Sequence, residues 1–205
     1  MNAKKSLLHM KKILFNPFEQ FLERPLILFG IAATIVLSMT AAYFNARFDG
    51  VLDLHFSSPT FMADTLMDNA LNIVILSLSL FTLGKIRNNK TRLIDIFATS
   101  LIARIPYYFL AFFNWNNIIL IESEKLRLQF QKAQPGTVPQ FENTQMLLLF
   151  VFAGVSIVFL AWFIYLLYQG YKVATNAKGT AEVVLFGITL IIAEVISKII
   201  FYLIH

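Results

Sequence analysis

The chemistry open to this chain rests on a few polar residues set inside long apolar runs. Arg104 stands in the middle of IDIFATSLIARIPYYFLAFF, Ile94 to Phe113, with Asp95 near the start of the run and Pro106 just after the arginine. Glu194 and Lys198 lie within the closing run, and Asp68, Asn69 and Asn72 occupy the first turns of another. An arginine at bilayer depth costs roughly 2.5–3.5 kcal/mol on insertion scales, so it must face protein or a wet cavity rather than lipid. At about 1.5 Å of rise per residue, Arg104 and Glu194 fall at similar levels, and Lys198 lies near the level of Asn72 and, less well, Asp68. The expectation is an intramembrane charge network that joins Arg104 to Glu194 and Lys198 to Asp68 or Asn72. Glu194 and Lys198 are also four residues apart with the glutamate first, the order that favours an intrahelical pair. Such a network either holds helices in register or lines a transport or proton-relay path.

Other constellations carry less. The connection from Ala46 to Asp64 holds Arg47, Asp49, Asp53, His55 and Asp64. Carboxylates and a histidine are metal-ligand types, but the spacing matches no ligand motif. Asp49-Gly50 reads as a turn signal, and Val51, Leu52, Leu54 and Phe56 suit a half-wet amphipathic connection. Neither a metal nor a cofactor is expected. The three histidines, His9, His55 and His205, are scattered and none lies in an apolar run. There is no HExxH or GxSxG motif and no nucleophile–base pair to name, so the chain is not expected to be an enzyme. The absence of cysteine removes disulfides, thiolate metal sites and cysteine nucleophiles.

The elements that position these residues are set by the solvent. Hydrophobic residues make up 58% of the 205 and charged ones only 14%, against about 25% charged in soluble domains. The fold class expected is all-α: a polytopic membrane protein with five transmembrane helices preceded by an amphipathic interfacial helix. The spans fall at about residues 26–45, 66–83, 93–113, 146–168 and 181–204, each near the length that a hydrocarbon core of about 30 Å demands. They form a single transmembrane domain over residues 26–205. Gly30, Ala32, Ala33, Ser38, Ala41 and Ala42 in the first span are small enough to let a neighbouring helix approach. Pro106 is expected to kink the third span. The fourth is the most uniformly apolar and is expected to face lipid.

Residues 1–25 form the N-terminal segment. Leu7, Met10, Leu14, Phe18 and Phe21 recur at helical spacing, with Lys4, Lys5, Lys11 and Lys12 around them. Asn16-Pro17-Phe18-Glu19 reads as a helix restart with Asn16 as cap and Glu19 completing a capping box. The segment either lies in the interface, with its apolar face to the acyl chains and its lysines to anionic headgroups, or packs on the bundle. A second surface helix is expected over ESEKLRLQFQKAQ, ended by PGTVP. With the N-terminus in the cytoplasm, about eleven basic residues fall inside and four outside. Five spans then carry the C-terminus to the opposite side. The net charge of +5 therefore marks membrane orientation and not a nucleic-acid surface.

With these elements in place the chain resembles the bacterial branch of the Yip family, membrane proteins named for interaction with Ypt/Rab GTPases. NPFEQFLERP before the first span, TRLIDIFATSLIARIPYYF in the third and GTAEVVLFGITLIIAEVISKIIFYLI at the close carry the resemblance. It implies a five-span bacterial inner-membrane protein that acts through contacts with the bilayer, other membrane proteins or its own copies, in membrane organisation or trafficking-like processes. The long polar N-terminal region and the Asp-Leu-Tyr-Gly-Pro motif of the eukaryotic members are missing, so a Rab GTPase partner is not implied. The alternative reading is a small transporter or channel component that uses the buried Arg104, Glu194 and Lys198.

Overall fold

Inside a bilayer a peptide group has no water to bond, so apolar runs that cross it fold as helices. The computed structural model, which describes residue 10 and residues 12–132 and 142–204, contains five helices long and apolar enough to cross a membrane. The first span is Glu23–Tyr43, the second Met62–Arg87, the fourth Asn143–Thr175 and the fifth Thr180–Ile204. They overrun the expected apolar cores because amphipathic ends such as Lys85 and Arg87 continue the helix into the headgroup layer.

The third crossing is composite. A helix over Leu93–Ala103 stops at Arg104, a short helix covers Ile105–Tyr108, and a 3-10 segment follows over Phe109–Asn117. Pro106 explains the break: it has no N–H to return to the carbonyl of Ile102, so the regular hydrogen bonding lapses while Arg104 keeps a helical backbone, φ −73° and ψ −17°. The interruption therefore falls at Arg104, slightly ahead of the proline. Asn116 and Asn117 adopt positive φ and turn the chain into the helix Ile118–Lys132, which matches the expected surface helix.

The third crossing is the centre of the bundle. Of its apolar window 72% is buried, against 6% for the fourth span, so the other spans shelter it while the fourth faces outward. It packs on the first, second and fourth spans, and the fifth packs on the second. Small residues set these approaches. Gly30 lies under Leu101, and a Cβ at Gly170 would stand 2.3 Å from the methyl of Thr99. Of the small residues in the first span, Gly30, Ser38 and Ala41 are buried, whereas Ala32 is exposed.

Part of the N-terminal segment packs on the bundle. The Trp162 indole donates to the Leu14 carbonyl at 3.2 Å, and the Phe15 ring meets Trp162 and Tyr165. Pro17–Glu19 is a single 3-10 turn, and the Asn16 side chain does not cap it. The capping box is thus a correction: Asn16 is not in a capping conformation, and its Oδ1 is buried without a partner. Lys4, Lys5, Lys11 and the PGTVP break lie outside the described residues.

The first connection is no simple loop. Ala46–Arg47 (β1) and His55–Phe56 (β2) pair antiparallel, with Ala46 opposite Phe56 and Arg47 opposite His55. Asn45, at φ 54°, starts the reversal. Its Nδ2 donates to Asn117 Oδ1 at 2.9 Å and its Oδ1 accepts from the Thr60 N–H at 3.2 Å. Asn114 Nδ2 donates to the Phe44 carbonyl at 2.7 Å. The hairpin base is therefore stapled to the turn that ends the third crossing.

Gly170→Leu tests the close approach of the third and fourth spans. A side chain there must displace Thr99, and overpacking of this kind costs about 1–3 kcal/mol. Thermal unfolding in detergent is expected to show that loss, whereas Gly154→Leu, where a Cβ meets nothing within 4 Å, leaves the midpoint unchanged.

Candidate functional site

The polar residues of the spans converge on the hairpin between β1 and β2. Arg104 is fully buried and lies eleven residues beyond Leu93, roughly 16 Å into a core of about 30 Å. Its Nη1 donates to the Val51 carbonyl at 2.9 Å and its Nε to the Tyr108 hydroxyl at 3.1 Å. The guanidinium carbon lies 5.3 Å from the Tyr108 ring centre, 5.7 Å from Phe163 and 5.9 Å from Tyr107. Attraction to three ring faces in a dry site stabilises the cation. The hairpin tip thus reaches the middle of the bundle, where Phe48 and Val51 are fully buried.

Non-helical backbone at this depth must find partners in protein. Asn72 Nδ2 donates to the Phe48 carbonyl at 2.5 Å, and Tyr107 Oη donates to the Leu52 carbonyl at 2.7 Å. The Leu52 N–H donates to Glu194 Oε2 at 2.7 Å and the Val51 N–H to Ser197 Oγ at 3.2 Å. Five peptide groups of the hairpin are therefore held by side chains of the second, third and fifth spans. At Gly50 a Cβ would lie 2.7 Å from Glu194 Oε1, so a larger residue at the tip would have to displace that carboxylate.

Charges on the hairpin are matched in the same way. Arg47 forks onto the buried Asp68, Nε to Oδ2 at 2.9 Å and Nη2 to Oδ1 at 3.0 Å. Lys198 bonds Asp53 and stands 3.5 Å from Asp49, and Asp49 also meets His55 Nδ1 at 3.0 Å. Burial opposes ionisation of Asp49, but the His55 hydrogen bond and the neighbouring positive charge of His55 and Lys198 hold its carboxyl below the ordinary aspartate range.

All five residues of the expected network reach this one feature, but not with the expected partners. Arg104 does not pair with Glu194. Its break in the helix turns it to a carbonyl and three rings, while Glu194 accepts a peptide N–H. Lys198 leaves Glu194, four residues earlier on its own helix, for the hairpin carboxylates, which offer charge and a fixed position together. Asp68 takes Arg47, and Asn72 takes a carbonyl. The tyrosines went unnoticed in the sequence, although spacings of three and four place Tyr107 and Tyr108 on the face of Arg104. Among the described residues no group of three or more His, Cys, Asp or Glu side chains is arranged to hold a metal ion.

Five apolar helices whose interior holds buried polar side chains, with large apolar side chains outward, define a multi-pass α-helical membrane protein. Comparison with known proteins goes no further: no protein-family model, curated protein or solved structure matches the chain.

Two outcomes are expected. Asp68→Leu removes the forked ion pair from the Arg47 guanidinium and costs up to about 3–5 kcal/mol, whereas the double variant Asp68→Leu with Arg47→Met recovers part of that loss in a double-mutant cycle. Asp49, with its folded-state pKa depressed, stabilises the hairpin fully above the unfolded value of about 3.9 and loses that contribution as pH falls through the folded value. Melting midpoints compared at neutral pH and below about pH 4 are therefore expected to fall for the wild type, and to fall less for Asp49→Asn.

Proposed function

We propose that this is a non-enzymatic protein of the bacterial inner membrane, of the kind that the Yip resemblance implies, acting through contacts with the bilayer and with other membrane proteins. Its N-terminus lies in the cytoplasm and its C-terminus on the opposite side, as the distribution of basic residues favours. The observation that supports a scaffolding role is the engagement of Arg104, Glu194, Lys198, Asp68 and Asn72 by one hairpin. A transport path needs polar groups that can exchange partners with a moving solute. Here each of the five makes at least one hydrogen bond or ion pair to the chain itself, which supports a fixed shape.

The experiment is flux in proteoliposomes. Wild type, Arg104→Gln and Glu194→Gln are expected to give proton and ion fluxes equal to protein-free liposomes. A wild-type flux above that background, lost in either variant, would overturn the proposal in favour of the transporter reading.

A further inference from the structure

We propose that the cytoplasmic end of the bundle binds one phospholipid with a primary-ammonium headgroup, in a groove between the first, third and fourth spans. This rests on the reading of the chain as a bilayer-contacting protein and names the lipid it holds. The groove has two neighbouring parts. The deeper part, about 490 Å³, is apolar and lined by residues that include Leu14, Phe29, Ile105, Phe109 and Trp162. The outer part, about 330 Å³, contains Glu23, Arg92 and Asp95 beside Ala98 and Gly170. Phe21 and Leu26 line both, so the parts are adjacent. Each lies in the range of about 300–1,000 Å³ typical of ligand pockets.

The layout matches an amphiphile lying along the bundle. Its apolar end reaches the level of Trp162, thirteen residues and thus about 20 Å along the helix from the end of the fourth span at Thr175. Its polar end lies where the first span starts at Glu23 and the third starts at Leu93. The N-terminal segment forms one wall and is held there by the Trp162–Leu14 hydrogen bond. An acyl chain in the deep part is solvated as it would be in the bilayer, while the polar part selects the headgroup.

Charge decides which headgroup. Arg92 bonds Asp95 at 2.7 and 2.9 Å and reaches Glu23 at 3.3 Å. One guanidinium thus serves two carboxylates, and the trio carries a net negative charge. A primary ammonium brings one positive charge and three N–H donors to those carboxylates. A quaternary choline brings the charge without donors, and a glycerol headgroup brings donors without the charge. The phosphate is then left for the exposed side of Arg92 and for Arg24, which is exposed and adjacent to Glu23.

The full-length protein in mild detergent is incubated with equal amounts of phosphatidylethanolamine, phosphatidylcholine and phosphatidylglycerol of identical acyl chains. Native mass spectrometry then reads the lipid retained. Wild type is expected to retain phosphatidylethanolamine roughly fivefold or more over either competitor, as charge-assisted hydrogen bonds allow. Glu23→Gln with Asp95→Asn is expected to bring the ratio near unity, and Ile105→Trp to lower retention of all three lipids. Equal retention by wild type, a preference for phosphatidylglycerol, or an unchanged ratio in the double variant would each overturn the proposal. Any of these leaves the scaffolding reading standing, because the flux experiment does not depend on which lipid is held.

Discussion

A peptide group without a hydrogen-bond partner is costly in a bilayer, and a hairpin that reaches mid-depth carries many such groups. The rest of this structure is arranged around that constraint. Carbonyls of Phe48, Val51 and Leu52 accept from Asn72, Arg104 and Tyr107, and the N–H groups of Val51 and Leu52 donate to Ser197 and Glu194. Three spans are thereby tied to one short stretch of chain. The polar side chains inside this bundle serve backbone first and one another second.

Arg104 shows how a buried cation is tolerated without a carboxylate beside it. Two hydrogen bonds and three aromatic faces stand in for part of its hydration, and Nη2 is buried without a hydrogen-bond partner among the described residues. Delocalised charge makes a guanidinium better suited to this than an ammonium, which is compact and strongly hydrated. Lys198 illustrates the contrast: it is partly exposed at the hairpin's outer edge and is met by two carboxylates. The helix break caused by Pro106 belongs to the same arrangement, since Arg104 and both tyrosines lie at or just beyond it.

The two ends of the bundle are built differently. At the end with the hairpin, asparagines act as staples: Asn45, Asn114 and Asn117 join the first connection to the turn that ends the third crossing. At the other end, ion pairs join neighbouring spans, Arg87 with Glu182 and Arg92 with Glu23. The lipid groove opens at this second end. Its headgroup trio therefore also ties the first span to the third, which couples lipid contact to helix packing.

The sequence by itself determined the solvent, the five spans, the central place of the third and the outward face of the fourth, because apolar runs of bilayer length have few other stable outcomes. It also marked Arg104, Asp68 and Asn72, which are buried, since the cost of a polar group in lipid is high wherever it sits, but not Ser197 or Asn114, which are buried as well. It did not contain their partners. Arg104 and Glu194 share a level, but depth counted along helices says nothing about an intervening hairpin. The stretch from Arg47 to Asp53 looks like a half-wet connection when only its own pattern is read. Tertiary structure decided that it enters the bundle, because the donors and acceptors that satisfy its backbone come from three spans distant in sequence.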